Sequence, residues 1–193
     1  QVYNNLGVLY KDNEKYENAI KMFTKAKELQ PNHQNSYYNL ALIKKEQGQN
    51  EEAIELLLKV LKLNPEHKDA KYFSSLIDLQ LGHFREGWKY YEYRWKSSQF
   101  NKVKWPFPKE NFWKGEKGKR VVLWREQGIG DDIIFLSLVQ EVEEMCETLS
   151  VYVDPRLEPL CRRTMPEINF VKDKEELKNV ACDYHLPLGS VPG

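Results

Sequence analysis

The chain has 193 residues, of which 41% are hydrophobic and 30% charged, a composition that excludes a disordered tail or a fibre. The 29 lysines and arginines balance the 29 aspartates and glutamates, which argues against a surface built as a whole for nucleic acid or membrane. No apolar run approaches the ~18 residues that cross a bilayer, and Cys146, Cys161 and Cys182 lack the paired spacing of zinc or disulfide sites. These features predict a cytoplasmic protein with reduced thiols.

A repeat opens the chain. Its first copy is marked by Tyr3, Leu6, Gly7, Tyr10, Ala19, Phe23 and Pro31. Adding 34 residues gives Tyr37, Leu40, Ala41, Ala53, Leu57 and Pro65. Small residues let two antiparallel helices approach closely, and each proline ends the second helix of a pair. The spacing resembles the tetratricopeptide repeat and predicts an all-α solenoid of helix pairs over residues 1–33 and 34–67.

A third, degenerate repeat is expected over residues 68–99. Gly87 keeps the register, but Lys71 and Ser74 replace large apolar residues. An aromatic stripe marks its second helix at Phe84, Trp88, Tyr91 and Trp95, and indicates either core or a platform for stacking a ligand. Because residue 1 already lies inside a repeat and arrays need capped ends, we expect further repeats upstream.

Side-chain amides recur at one position of the repeat. Asn5 and Asn39 occupy equivalent positions in the first helix of their repeats. Phe73 occupies this position in the third repeat. An amide both donates and accepts, as an extended peptide backbone requires. The position of Asn5 and Asn39 in the repeat resembles that of the row of asparagines, the asparagine ladder, in O-linked N-acetylglucosamine transferase. This resemblance implies a peptide or protein partner on the concave face. The alternative is a solvated polar helix face.

Residues 100–120 predict an irregular connector rich in proline, glycine and tryptophan. Between Lys96 and Arg125, nine cations oppose two glutamates, giving a net charge of +7. A segment in which cationic and aromatic side chains alternate is typical of a surface that binds nucleic acid. We favour the alternative that the aromatic side chains pack the connector against its neighbouring domains, because the segment that follows is acidic. We therefore expect no nucleic-acid partner.

Strand and helix patterns alternate over residues 121–193. The strand patterns are 120–125, 149–153, 168–171 and 183–188, with a helix over 133–145 and another opened by Pro155. This alternation predicts a partial Rossmann-like parallel sheet. A glycine loop, Gly128-x-Gly130, follows the first strand, but Ile133 stands where a dinucleotide fingerprint has its third glycine.

Three sequence segments in this part of the chain resemble a second protein family. They are Trp113-x-Gly115-Glu116, residues 118–135 and residues 183–192. They are similar to bacterial repeat proteins with a glycosyltransferase-like domain, related to O-linked N-acetylglucosamine transferase and the lipopolysaccharide heptosyltransferases. The resemblance implies the N-terminal half of a GT-B fold, with Asp131 as general base. It also implies a substrate crevice formed by Gln127, Gly128, Gly130, Asp132 and His185. The alternatives are that Asp131 caps a helix and that His185 is a hydrogen-bonded residue at a strand end.

Two functions follow from these patterns. The first is a protein-interaction module joined to an incomplete glycosyltransferase-like domain that is inactive by itself. The second is part of a nucleotide-sugar-dependent glycosyltransferase, whose remaining half we expect beyond Gly193.

The four histidines (His33, His67, His83 and His185) lack metal-ligand spacing, so we expect neither metal nor cofactor. The connector or a second copy of the chain, as a homo-oligomer, should cover the exposed sheet edge.

Overall fold

The protein divides into two compact units, Gln1–Asn101 and Lys102–Gly193. The structure, a computed structural model, describes residues 1–98, 100 and 103–192. The predicted boundary at residue 99, Lys102 of the basic stretch and Gly193 at the end of the last predicted segment lie outside the described residues. Of the described part of the predicted connector, Phe100 belongs to the first unit and residues 103–120 belong to the second.

The first unit is a series of antiparallel helix pairs. Its helices are α1 (Val2–Asp12), α2 (Tyr16–Leu29), α3 (Gln34–Glu46), α4 (Asn50–Leu63), α5 (Lys68–Gln80) and α6 (Phe84–Tyr91), followed by a 3₁₀ helix at Glu92–Lys96. The repeat positions form its core: Ala19 and Phe23 pack with Leu40, and Ala41 packs with Ala53. The prediction of an all-α solenoid is confirmed for this unit.

Gly7 shows why the repeat needs a small residue in its first helix. A Cβ atom at this position would lie 2.6 Å from the ring of Phe23, which is fully buried. In the third repeat the predicted aromatic stripe is split, since Tyr91 is buried whereas Phe84 is 63% exposed. The α-helix ends at Tyr91, so the following residues leave its 3.6-residue period.

The turn between the two helices of each pair uses a left-handed residue at one repeat position. Gly48 and Gly82 have φ of 75° and 82°, and Glu14 occupies the same slot with φ of 58°. Glycine adopts this conformation without the steric cost that a Cβ atom brings. The first repeat is therefore strained where the other two are not.

The second unit is built on a four-stranded parallel sheet. Its strands are β1 (Arg120–Trp124), β2 (Thr148–Tyr152), β3 (Asn169–Val171) and β4 (Tyr184–Pro187), in the order β3-β2-β1-β4. The connecting helices are α7 (Ile129–Leu136), α8 (Val139–Glu143), α9 (Glu158–Thr164) and α10 (Lys174–Asn179). The predicted parallel sheet is confirmed, and its assignment to a glycosyltransferase-like domain stays a prediction.

Two helices begin elsewhere than the apolar pattern predicts. The helix predicted over 133–145 is two helices, the first of which already begins at Ile129. The helix predicted to open at Pro155 begins at Glu158. Asp154 holds a turn there, because its side chain accepts from the backbone N–H of Arg156.

The connector covers the outer edge of β4. Phe112 forms a parallel bridge with His185, and the backbone N–H of Trp113 donates to the carbonyl of His185 at 2.9 Å. The predicted cover by the connector is confirmed at this edge. Within the described residues, no helix combines the length and the apolar character needed to cross a bilayer.

Candidate functional site

A cluster of polar side chains joins α1 to α3. Asn4 is 5% exposed, and its Oδ1 accepts from Asn39 Nδ2 at 3.3 Å and from Ser36 Oγ at 3.4 Å. The Ser36 hydroxyl also lies 2.9 Å from Nδ1 of His33. These bonds fix the amide of Asn39 on the surface that the first helices of the repeats share.

The predicted asparagine pair is arranged differently from its repeat positions. Asn5 is exposed and its Oδ1 accepts from Gln1 Nε2 at 3.3 Å, whereas Asn39 is half-buried and bonds to Asn4. Sequence comparison missed Asn4, because its counterpart one repeat later is Tyr38. The third predicted contact, Phe73, is half-buried, and its ring centroid lies 6.2 Å from that of Tyr38.

The same surface carries an aliphatic stripe and two lysines. Val8, Leu42 and Leu76 are each half-buried and follow one another at the repeat spacing of 34 residues. Lys11 and Lys45 share a slot three residues further along α1 and α3. Lys11 Nζ pairs with Asp12 at 3.0 Å, and Lys45 Nζ lies 5.9 Å above the Phe73 ring. The surface is thus apolar in the middle and basic at one end.

In the second unit, the loop after β1 brings most of the predicted crevice residues together. Gly128 precedes the first turn of α7, and its N–H donates to Asp131 Oδ2 at 3.0 Å. Asp131 therefore caps α7 from its third position rather than as the N-cap residue itself. Gly130 is exposed, and Asp132 is buried in the same turn.

Asp132 is the centre of a buried ion-pair network. Its Oδ2 lies 2.8 Å from Arg125 Nε and accepts from the backbone N–H of Asp154 at 2.9 Å. Arg125 Nη1 also lies 3.0 Å from Asp154 Oδ2, and Arg156 pairs with the other oxygen of that carboxylate. Burial raises the pKa of Asp132, while hydrogen bonds from Arg156 lower the pKa of Asp154. The network ties the loop after β1 to the end of β2.

His185 has no polar atom left for a substrate. It is fully buried, its Nδ1 accepts from Trp124 Nε1 at 3.0 Å, and its Nε2 lies 2.8 Å from the Pro108 carbonyl. Four aromatic rings surround it, those of Trp105, Phe107, Phe112 and Trp124. Burial lowers the pKa of its ring. The structure therefore places His185 in the core and not with the other predicted crevice residues.

A cleft of about 710 Å³ opens beside the loop, at the carboxyl ends of β1 and β2. Gln127 lines it together with Glu126, whose carboxylate accepts from Gln127 Nε2 at 3.2 Å and from the backbone N–H of Gly189 at 3.2 Å. Across the residues that the structure describes, no three histidine, cysteine, aspartate or glutamate side chains meet in a way that could hold a metal.

Comparison with known proteins identifies the repeats. Residues 1–66 match the family model described as tetratricopeptide repeat. Protein FlbA of Caulobacter vibrioides (strain ATCC 19089 / CIP 103742 / CB 15) is 34% identical over 95 residues, which are 47% of this chain and 16% of that protein. The chain thus spans a small part of the length of this curated relative.

Two solved structures resemble half of the chain. YrrB, described as a TPR protein with an unusual peptide-binding site, is 21% identical over 50% of this chain and 50% of its own, with a TM-score of 0.47. The first TPR of Spaghetti (RPAP3), solved with an HSP90 peptide, is 22% identical over 49% of this chain and 75% of its own, also at 0.47. The family match identifies residues 1–66 as tetratricopeptide repeats, and α5 and α6 continue the series of helix pairs beyond them.

Proposed function

We propose that the first unit is a protein-interaction module that binds an extended peptide along the concave face formed by α1, α3 and α5. The observation that carries this proposal is the pair of amides from Asn4 and Asn39, which lies between two successive first helices. Repeat solenoids offer extended concave surfaces of this kind to their partners.

Asn39 has hydrogen-bonding capacity left for a peptide. Its Nδ2 donates to Asn4, while its Oδ1 has no hydrogen-bond partner among the described residues. A peptide backbone N–H can donate to that oxygen, and a neighbouring carbonyl can accept from the second Nδ2 proton or from exposed Asn5. Because Asn4 already holds the Asn39 amide in place, little side-chain entropy is lost on binding.

The side chains around the amides define the class of peptide. Val8, Leu42 and Leu76 form an apolar stripe, which favours a peptide with apolar side chains. Lys11 and Lys45 stand at one end of this stripe, and they favour a carboxylate there. Phe73 extends the apolar part in the third repeat. The partner we propose is therefore an extended segment with apolar residues and an acidic residue.

Selection from a phage library of random peptides, with the chain as bait, supplies a ligand for the test. Isothermal titration then compares its affinity for the chain and for the Asn5→Ala/Asn39→Ala variant. We expect the variant to bind about 30-fold more weakly, since two amides that contribute about 1 kcal/mol each add up to about 2 kcal/mol. Asn18→Ala on α2 is the matched control, because Asn18 is an exposed amide on a second helix. Equal affinities for the chain and the double variant would contradict the proposed site.

A second candidate function concerns the second unit. We propose that, within a longer protein, it forms part of a sugar-transferring enzyme with Asp131 as general base. The strand order β3-β2-β1-β4 supports this proposal, since it is the order found in the first part of doubly wound nucleotide-binding sheets. Asp131 follows the first strand, and its Oδ1 has no hydrogen-bond partner among the described residues.

Sugar transfer is tested in the full-length protein that contains this chain. Release of nucleoside diphosphate is followed with UDP-, GDP- and ADP-sugars, and Asp131→Asn is compared with the unchanged protein. Loss of a general base lowers turnover by about 10²–10⁴-fold, whereas the loss of a helix cap lowers stability alone. Unchanged turnover in Asp131→Asn would show that Asp131 is a capping residue and nothing more.

A further inference from the structure

The cleft at the carboxyl ends of β1 and β2 has the form of a small-molecule site. Its volume of about 710 Å³ lies within the range of ligand pockets, about 300–1,000 Å³. Trp124, Tyr152 and Leu177 line it and are themselves buried, so its floor is apolar and firmly packed. In parallel α/β sheets, ligands bind at this end of the strands.

The rim of the cleft is strongly basic. Lys174 and Lys178 lie one turn apart on α10, and Lys104 reaches the rim from the segment before β1. None of the three forms an ion pair with a carboxylate of the described residues. Two lysines at this spacing repel each other, so an anion between them would stabilise the helix. Arg125 also lines the cleft, but its guanidinium is bound by Asp132 and Asp154.

One wall of the cleft offers a flat apolar surface. The indole of Trp105 is partly exposed, and its position is fixed by the rings of Trp124 and Phe112 at centroid distances of 5.7 and 5.9 Å. Glu126 and Gln127 stand at the end of the same cleft with polar side chains. Such a wall suits a planar base or the apolar face of a sugar ring, with hydroxyl groups turned towards the polar end.

We propose that this cleft binds a phosphate monoester, with its phosphate held by Lys104, Lys174 and Lys178 and its ring against Trp105. A phosphate monoester is close to a dianion at neutral pH and offers three acceptor oxygens, which matches three lysine ammonium groups. Nucleoside monophosphates and hexose phosphates share this chemistry. The proposal concerns the second unit alone and does not depend on peptide binding by the first.

Isothermal titration of the chain at low salt tests the ligand class. The probes are uridine monophosphate, adenosine monophosphate, glucose 6-phosphate and inorganic phosphate. We expect at least one monoester to bind tenfold or more tightly than inorganic phosphate, because only the monoester reaches Trp105. A higher affinity for the nucleotides than for glucose 6-phosphate would indicate that a base packs on the indole of Trp105. A higher affinity for glucose 6-phosphate would indicate that a sugar ring packs there. Equal affinity for inorganic phosphate and every monoester, or no binding of any probe at millimolar concentration, overturns the proposal.

Charge-matched variants test the position of the site. Lys174→Ala/Lys178→Ala should weaken monoester binding at least tenfold. Lys117→Ala/Lys119→Ala removes the same charge from exposed positions before the amino end of β1, and it should leave the affinity unchanged. Because all four side chains are exposed, unchanged melting temperatures are expected, and the single variant Lys178→Gln repeats the test with a smaller change. Equal losses in the two double variants would show general attraction of anions and overturn the assignment to this cleft.

Discussion

Trp124 and His185 lie on the neighbouring strands β1 and β4, two positions apart in register, and the indole Nε1 of Trp124 donates to Nδ1 of the imidazole at 3.0 Å. The other ring nitrogen of His185 lies 2.8 Å from the Pro108 carbonyl, so one side chain joins β1, β4 and the connector. This histidine organises the core of the second unit.

Replacement of His185 by phenylalanine should destabilise the second unit. The variant removes the acceptor that the buried indole N–H of Trp124 uses and the bond to the Pro108 carbonyl, at a cost of about 1–3 kcal/mol in the free energy of unfolding. Urea unfolding followed by tryptophan fluorescence measures the loss. His83→Gln is the control, because His83 is exposed and should change stability by less than about 0.5 kcal/mol. An unchanged urea midpoint in His185→Phe would contradict the role in the core.

The stability of the second unit should also fall at mildly acidic pH. Burial lowers the pKa of His185 below its ordinary value of 6.5, so between these two values the unfolded chain binds more protons than the folded one. Stability from this group is complete above about pH 6.5 and decreases as the pH falls below it. Urea midpoints at pH 7.5 and 5.5 should differ more in the chain than in His185→Gln. An equal difference in both would assign the pH dependence to other groups.

Asp131 and Asp132 are adjacent but should differ sharply in their effect on stability. Asp132→Ala leaves the Arg125 guanidinium with one carboxylate fewer and the N–H of Asp154 without an acceptor, at a cost of about 3–5 kcal/mol. Asp131→Ala removes one helix-capping bond and should cost about 0.5–1 kcal/mol. Chemical denaturation of the two variants side by side measures the difference. Equal costs would contradict the buried network.

Glu14 occupies a turn position that glycine fills in the next two repeats, with φ of 58°. Glu14→Gly should therefore stabilise the first unit by about 1 kcal/mol, since it removes a left-handed residue that carries a Cβ atom. Gly48→Glu should destabilise it by a similar amount, because Gly48 has φ of 75° and an open surrounding. Thermal unfolding of both variants checks these opposite signs. A loss of stability in Glu14→Gly would mean that its side chain contributes more than the strain costs.

Sequence patterns predict the helices of the first unit and the strands of the second closely. Small and large residues at a spacing of 34 mark which helix faces touch, and a run such as 121–124 is buried on both faces of a parallel sheet. Helix starts are less visible, because they depend on local hydrogen bonds. The start of α7 at Ile129 follows from the bond between Gly128 and Asp131, and the apolar pattern does not contain it.

The candidate sites were harder to predict, because they depend on which surfaces meet in space. Asn4 contacts Asn39 across two helices, although repeat alignment pairs Asn39 with Asn5. His185 meets Trp105 and Phe107 from a segment about eighty residues away, so sequence spacing alone did not show that it is enclosed. Lys174 and Lys178 carried no motif, and only the position of α10 brings them to the cleft.

A peptide site on the first helices of the repeats can be located by mapping which backbone amides a bound peptide perturbs. Backbone amide chemical shifts of the ¹⁵N-labelled chain are measured by NMR while a peptide selected with the chain is added. We expect the largest changes to fall on α1, α3 and α5, around Asn39 and Lys45, and the midpoint of the titration to move to an about 30-fold higher peptide concentration in Asn5→Ala/Asn39→Ala. Changes concentrated on α2 and α4, or an unchanged midpoint in the variant, would contradict a peptide site on this face.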